Sequence, residues 1–315
     1  MPVKALFTYD HGQENMNKIK SLGYDIITIN EKNAVYSELL KDVEVLVCYN
    51  PFETLDISKM KMLKWIQLSS AGIDQLPLDY IKNSNITITN NRGGYSVPMG
   101  EWIVLKILEL LKHSHRLYEN QKNKLWKMDS TILELCGKTI GFIGTGSIAE
   151  EAAKRLSGFD VKILGLNTAG RQVQYFDKCY GLKDINEMLA ASDIVVVTIP
   201  YTRETHHLID DEKFRCMKKG ACIVNVARGS IINEKDLIKS IHEGKIYGAA
   251  LDVVENEPMH PDSPLWNLEN VIITPHNSWI SEMRNIRRFN MIYDNMKRYM
   301  KNEKLVNIID INKGY

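Results

Sequence analysis

The stretch Thr139-Ile140-Gly141-Phe142-Ile143-Gly144-Thr145-Gly146-Ser147-Ile148-Ala149 reads as a short apolar strand, a tight turn and the start of a helix. Gly144 permits the turn, Gly146 leaves room for a pyrophosphate to approach the backbone, and Ala149 lets the helix pack closely on the sheet. The N–H groups of Ser147 and Ile148 then stand at the positive end of the helix dipole, where phosphate oxygens bind. A lone glycine pattern of this kind is weak. Here a helix and a second strand-like run, Val161–Leu166, follow it, and together they point to a dinucleotide site.

The end of that second run bears on which dinucleotide. Sites for NAD usually place a carboxylate there to hold the ribose hydroxyls. This chain has Asn167-Thr168-Ala169-Gly170-Arg171 instead, so nothing acidic repels a 2′-phosphate. Asn167 and Thr168 can donate hydrogen bonds, and Arg171 can pair with phosphate through its planar fork. The expectation is NADP(H) in preference to NAD(H), with NAD(H) still possible; alternatively Arg171 solvates a surface turn and either cofactor is accepted.

Outward from the fingerprint, strand-like segments recur at Ile194–Thr198, Cys222–Asn225, Gly248–Asp252 and Val271–Thr274, most of them separated by helical stretches. That rhythm predicts a doubly wound parallel sheet of about six or seven strands. The first ninety residues carry a second series: Lys4–Tyr9, Asp25–Ile29, Val43–Cys48, Leu63–Leu68 and Ile86–Thr89 are strand-like, and Gln13–Leu22 is helical. Residues 93–100 read as a joint. A long helix is expected over Glu101–Leu117, with Ile103, Ile107 and Leu110 on one side, then a solvated Lys-rich stretch anchored by Trp126. Ser281–Met300 reads as one amphipathic helix.

With 315 residues, 44% hydrophobic and 25% charged, the chain has room for roughly two domains with substantial cores. Its 40 Lys plus Arg stand against 39 Asp plus Glu, which offers no basic footprint for nucleic acid or a membrane surface. Cys48, Cys136, Cys179, Cys216 and Cys222 are scattered and form no CxxC or Cys/His metal pattern; His206, His207 and His260 read as polar loop residues. No metal is expected. The opening residues lack an apolar leader, and the expected location is the cytoplasm.

Three of the later strands end in chemistry. Arg228 follows Ile223–Ala227, the pair Asp252 and Glu257 follows Gly248–Leu251, and His276 follows Val271–Pro275. Parallel sheets present ligand groups at these strand ends. The set suits hydride transfer to a 2-keto acid, in which negative charge builds on the carbonyl oxygen. His276 can give that oxygen a proton or take one back, Glu257 can hold the other imidazole nitrogen, and Arg228 can pair with the carboxylate and polarise the carbonyl.

Taken together, these motifs resemble the D-isomer-specific 2-hydroxyacid dehydrogenase family along essentially the whole chain. The resemblance rests on the fingerprint, on Thr198-Ile199-Pro200-Tyr201-Thr202-Arg203-Glu204-Thr205, on Asn225–Ser230, on Asp252–Pro258 and on Pro275-His276. It implies Arg228, Glu257 and His276 as the catalytic set, and cofactor contacts at Pro200, Thr205, Val226, Ala227 and Asp252 beside those of the fingerprint and the 167–171 turn. It further implies that Ser70, Ala71 and Gly72 hold the substrate carboxylate through backbone amides, and that Trp279 either lines the substrate pocket or covers the cleft. The implied fold has two Rossmann-like parallel-sheet domains. A flavodoxin-like substrate domain over 1–94 is completed by 281–315, and 95–280 forms the NAD(P)-binding domain, with the active site in the cleft between them. The implied activity interconverts a small 2-keto acid, such as glyoxylate or hydroxypyruvate, and its D-2-hydroxy acid, in a homodimer. The alternative is a dinucleotide-sensing regulatory protein of corepressor type on the same fold.

Overall fold

The computed structural model describes residues 2–311. The chain divides into two compact units: one holds the residues up to Tyr95 together with those from Ser281 onward, and the other is Ser96–Ile280.

The first unit begins with β1 (Val3–Phe7), α1 (Gln13–Ser21), β2 (Tyr24–Thr28), β3 (Val45–Cys48), β4 (Trp65–Leu68), α2 (Leu78–Lys82) and β5 (Thr87–Thr89). These strands form a five-stranded parallel sheet in the order β2-β1-β3-β4-β5. Every residue of β3 and β4 is buried, as expected for central strands covered on both faces. One face packs Leu6, Leu46 and Ile66 into an apolar cluster; the other carries Ala5, Phe7, Val47 and Trp65.

The second unit runs through α3 (Ser96–Lys112), α4 (Ser114–Lys122), β6 (Thr139–Ile143), α5 (Ser147–Leu156), β7 (Lys162–Leu166), β8 (Lys178–Tyr180), α6 (Ile185–Ala191), β9 (Ile194–Val197), α7 (Asp211–Cys216), β10 (Ala221–Asn225), α8 (Glu234–His242), β11 (Ile246–Leu251) and β12 (Val271–Ile273). Its seven strands are parallel, in the order β12-β11-β10-β9-β6-β7-β8. The final helix, α9 (Arg284–Met300), belongs to the first unit. Its Phe289, Ile292 and Met296 are buried at helical spacing against Phe7, Val47 and Trp65.

Three sequence expectations change. The long helix starts at Ser96, five residues early, because Pro98 fits the first turn of a helix as well as it fits a joint. It stops at Lys112, where His113 takes a left-handed φ of 49°. That break has a tertiary cause. The buried His113 ring is held between Asp129, whose Oδ2 lies 2.7 Å from Nδ1, and the hydroxyl of Tyr247. Trp126 does not act as an anchor, since it is fully exposed.

Candidate active site

Gly144 has a φ of 101°, and a Cβ there would lie 2.9 Å from Ile199 and 3.1 Å from the Thr198 backbone. Only glycine satisfies both demands without strain. At Gly146 a Cβ would meet nothing within 4 Å, so the space over this residue is open. Gly146 is the N-cap of α5 and carries no side chain to occupy the first N–H groups, those of Ser147 and Ile148. Ala149 is fully buried under the helix. An open cradle at a helix N-terminus fits a pyrophosphate.

At the end of β7, the Asn167 amide is committed to its own turn. Its Nδ2 donates to Arg171 O at 2.8 Å and to Thr145 Oγ1 at 3.2 Å, while its Oδ1 accepts the Arg171 N–H at 2.9 Å. Asn167 therefore shapes the turn that presents Thr168 and the exposed Arg171. Thr205, in the loop after β9, also looks inward: its hydroxyl donates to Pro200 O at 2.9 Å and accepts the Thr202 N–H at 2.7 Å.

The register aligns the three chemical strand ends, with Asn225 beside Leu251 and Leu251 beside Ile273. Beyond β10, Asn225 closes an Asx-type turn. Its Oδ1 accepts from Ala227 N–H at 3.0 Å and its Nδ2 donates to Arg228 O at 2.9 Å. Val226 and Ala227 are buried, and the Arg228 guanidinium donates to Ala227 O at 2.7 Å. Beyond β11, the carboxylate of the buried Asp252 accepts from the Thr274 hydroxyl at 2.7 Å and from the N–H groups of Asn277 at 2.8 Å and Ser278 at 2.9 Å. Its backbone carbonyl takes the His276 N–H at 2.8 Å. Asp252 thus grips the loop that carries the histidine.

His276 sits at a φ of 53°, a conformation rare for a non-glycine residue and one that clusters at functional sites. Its Nδ1 lies 2.9 Å from Glu257 Oε2. A carboxylate only accepts, so Nδ1 carries the proton and Nε2 is the nitrogen left for chemistry. The other oxygen of Glu257 accepts the Val254 N–H at 3.3 Å. Trp279 is half-buried and donates from Nε1 to His276 O at 2.8 Å.

In the first unit, the loop after β4 has its carbonyls tied down. Ser70 O accepts from Asn91 N–H at 2.8 Å, Ala71 O from Asn90 Nδ2 at 2.6 Å, and Gly72 O from Ser70 Oγ at 2.8 Å. In a trans peptide the N–H points opposite its carbonyl, so these bonds turn the amides of Ala71, Gly72 and Ile73 to the other side.

Sequence reading missed Asn225, Thr145 and Gly229. An Asn directly after an apolar strand was the available signal for the first. The packing at Gly229, where a Cβ would come within 1.9 Å of the Val254 carbonyl carbon, has no local signal. A cavity of about 470 Å3 lies at the N-terminal ends of β10 and β11, lined by Gly220, Ile246 and Gly248 together with His113 and Tyr247, away from the strand ends that carry the chemistry. Among the described residues no His, Cys, Asp and Glu group has the makings of a metal site.

Residues 104–278 match the family model described as the D-isomer specific 2-hydroxyacid dehydrogenase NAD binding domain. A glyoxylate reductase from Thermofilum pendens is 36% identical over 246 residues, covering 75% of this chain and 72% of the relative. The crystal structure of a D-isomer specific 2-hydroxyacid dehydrogenase family protein from Aeromonas salmonicida is 32% identical, with a TM-score of 0.82 over 99% of this chain and 100% of that one. A D-isomer specific 2-hydroxyacid dehydrogenase from Xanthobacter autotrophicus, solved with NADPH and MES, is 25% identical, with a TM-score of 0.84 over 100% of both chains.

Proposed function

Because the chain belongs to the D-isomer-specific 2-hydroxyacid dehydrogenase family, we propose that it is an NADP(H)-preferring reductase of a small 2-keto acid, of the glyoxylate or hydroxypyruvate kind, producing the D-2-hydroxy acid. NAD(P)-dependent oxidoreductase activity on small keto or hydroxy acids follows from the family. The narrower reading draws on the residues. The contact between His276 Nδ1 and Glu257, at 2.9 Å, carries it.

When bound, the nicotinamide supplies the hydride. The protein supplies the rest. The carbonyl oxygen, as negative charge develops on it, takes a proton from His276 Nε2, and the Glu257 carboxylate holds Nδ1 and so orients the ring. Arg228 pairs with the substrate carboxylate and the carbonyl oxygen. In the first unit, the amides of Ala71, Gly72 and Ile73 form an anion-binding nest suited to a carboxylate. Trp279 is proposed as a wall of the substrate pocket. The open cradle at Gly146 receives the pyrophosphate, and the 167–171 turn, with Arg171 exposed and no carboxylate, receives a 2′-phosphate. The NADPH held by the Xanthobacter relative supports that preference. Asp252 acts through the His276 loop, since its oxygens are engaged there.

The oriented His276–Glu257 pair favours the reductase over a pure sensor. His276→Ala tests the assignment. Turnover should fall by about 100-fold or more while NADPH still binds; a variant with near-normal turnover would show that another group moves the proton.

A further inference from the structure

We infer that His207 is a positioning residue. Its imidazole, in close contact with the Glu255 carboxylate, locks the segment Pro200–His207 to the turn that carries Glu257, and so fixes the carboxylate that orients His276. The inference rests on the acid–base reading of His276 and Glu257 given above.

Three segments meet at Glu255. Its Oε1 lies 2.8 Å from His207 Nε2 and also accepts the Glu234 N–H at 3.1 Å, at the positive end of α8. In return, the Glu255 N–H reaches Glu234 Oε2 at 3.4 Å. From the other side the Val254–Glu255 peptide lies directly on Gly229, where a Cβ would come within 1.9 Å of Val254 C and 2.4 Å of Glu255 N. The turn next to Arg228 therefore presses on the same peptide that the His207–Glu255 contact holds. Glu257, two residues on, has one oxygen on His276 and the other on the Val254 N–H. A shift of Val254–Glu255 is thus passed to Glu257 and on to the imidazole.

On its own side, His207 is held in a left-handed conformation, φ 50°, which an L-residue keeps only when its contacts compensate. Its N–H donates to Ser230 O at 2.8 Å, and Ile209 N–H donates to Ile231 O at 3.0 Å. Its ring stacks on His206 with centroids 3.9 Å apart, and His206 Nδ1 lies 3.2 Å from the Tyr201 hydroxyl. The Thr205 hydroxyl closes the loop on Pro200 O. The side chains of His207 and Glu255 are 34% and 27% exposed, so water competes for this contact less than it would at the open surface.

Two variants separate positioning from plain structural support. His207→Gly removes the side chain while accepting the backbone angle, and His207→Gln keeps an N–H donor at a similar reach. In His207→Gly, kcat for the keto acid should fall about tenfold with KM changed less than about twofold, because a carboxylate displaced by a fraction of an ångström spoils orientation more than binding. The Val254 and Glu255 amides should exchange with deuterium about tenfold faster. His207→Gln should restore both to within about twofold. Wild-type kcat in His207→Gly, equal impairment of the two variants, or unchanged exchange at Val254 and Glu255 would each overturn the inference. A wild-type enzyme that turns over no 2-keto acid would contradict the functional reading instead, and the exchange comparison would still decide the lock.

Discussion

At the residue scale, Arg171 is the proposed carrier of the cofactor preference. Its side chain is exposed on a turn whose shape is set by Asn167, so replacing it should disturb recognition without disturbing the turn. Arg171→Ala should raise the KM for NADPH about tenfold or more and leave that for NADH almost unchanged. Equal losses with both cofactors would remove Arg171 from the 2′-phosphate site. The 167–171 turn also shows what a sequence can hide. A missing carboxylate is visible by inspection, but that the Asn167 amide is spent on Arg171 and Thr145 requires the fold. His11 makes a separate point about pH. Burial, reinforced by the nearby Arg288 and opposed by Asp10, lowers its pKa from 6.5 to about 4. A depressed histidine pKa means the unfolded chain binds the proton more readily. The contribution of His11 is therefore complete above about pH 6.5 and is lost as pH falls towards 4. By about pH 4.5 the loss amounts to roughly 2–3 kcal/mol. Urea unfolding of the protein and of His11→Phe, at neutral pH and near pH 4.5, checks this. The variant should lose less stability on acidification, and equal losses would rule His11 out.

At the element scale, Arg228 and Glu257 stand beyond the largely buried strands β10 and β11, and His276 beyond the half-buried edge strand β12, each on a loop held by neighbouring groups. Asn225 folds the Arg228 turn and Asp252 grips the His276 loop. Asp252→Asn replaces one acceptor oxygen with a donor that faces the N–H groups of the loop. It should lower kcat about tenfold to a hundredfold with the fold retained, which steady-state kinetics and circular dichroism together would read; unchanged kcat would mean the loop holds itself. The strands were legible because both sheets are covered on each face, so β3, β9 and β10 read as unbroken apolar runs. β8 was not, being a three-residue edge strand with a single sulfur-bearing residue, Cys179, between Lys178 and Tyr180. The break at His113 was equally silent, because it depends on Asp129 and Tyr247, the latter more than a hundred residues away.

At the scale of the whole molecule, the two sheets differ in size but share a plan, and the fingerprint belongs to the larger. The family resemblance implies a homodimer without placing its interface, and Ile103, Ile107 and Leu110 of the helix after the joint are buried within their own unit. Beside Leu105 on that helix, exposed apolar side chains gather further on, at Leu117, Tyr118, Leu125, Trp126, Met128 and Ile132. A second copy of the chain is the proposed cover for that segment. Light scattering should give the mass of a dimer for the wild type and, for Trp126→Asp with Met128→Asp, a shift toward the monomer. A wild-type monomer would refute it.

The most direct measurement of the central claim follows the hydride itself. With NADPH deuterated on the transferring carbon and a panel of 2-keto acids including glyoxylate, hydroxypyruvate and pyruvate, the enzyme should oxidise the cofactor. The best chiral product should carry one deuterium at C2 in the D configuration. No oxidation with any member of the panel, a product without deuterium at C2, or the L configuration would contradict it.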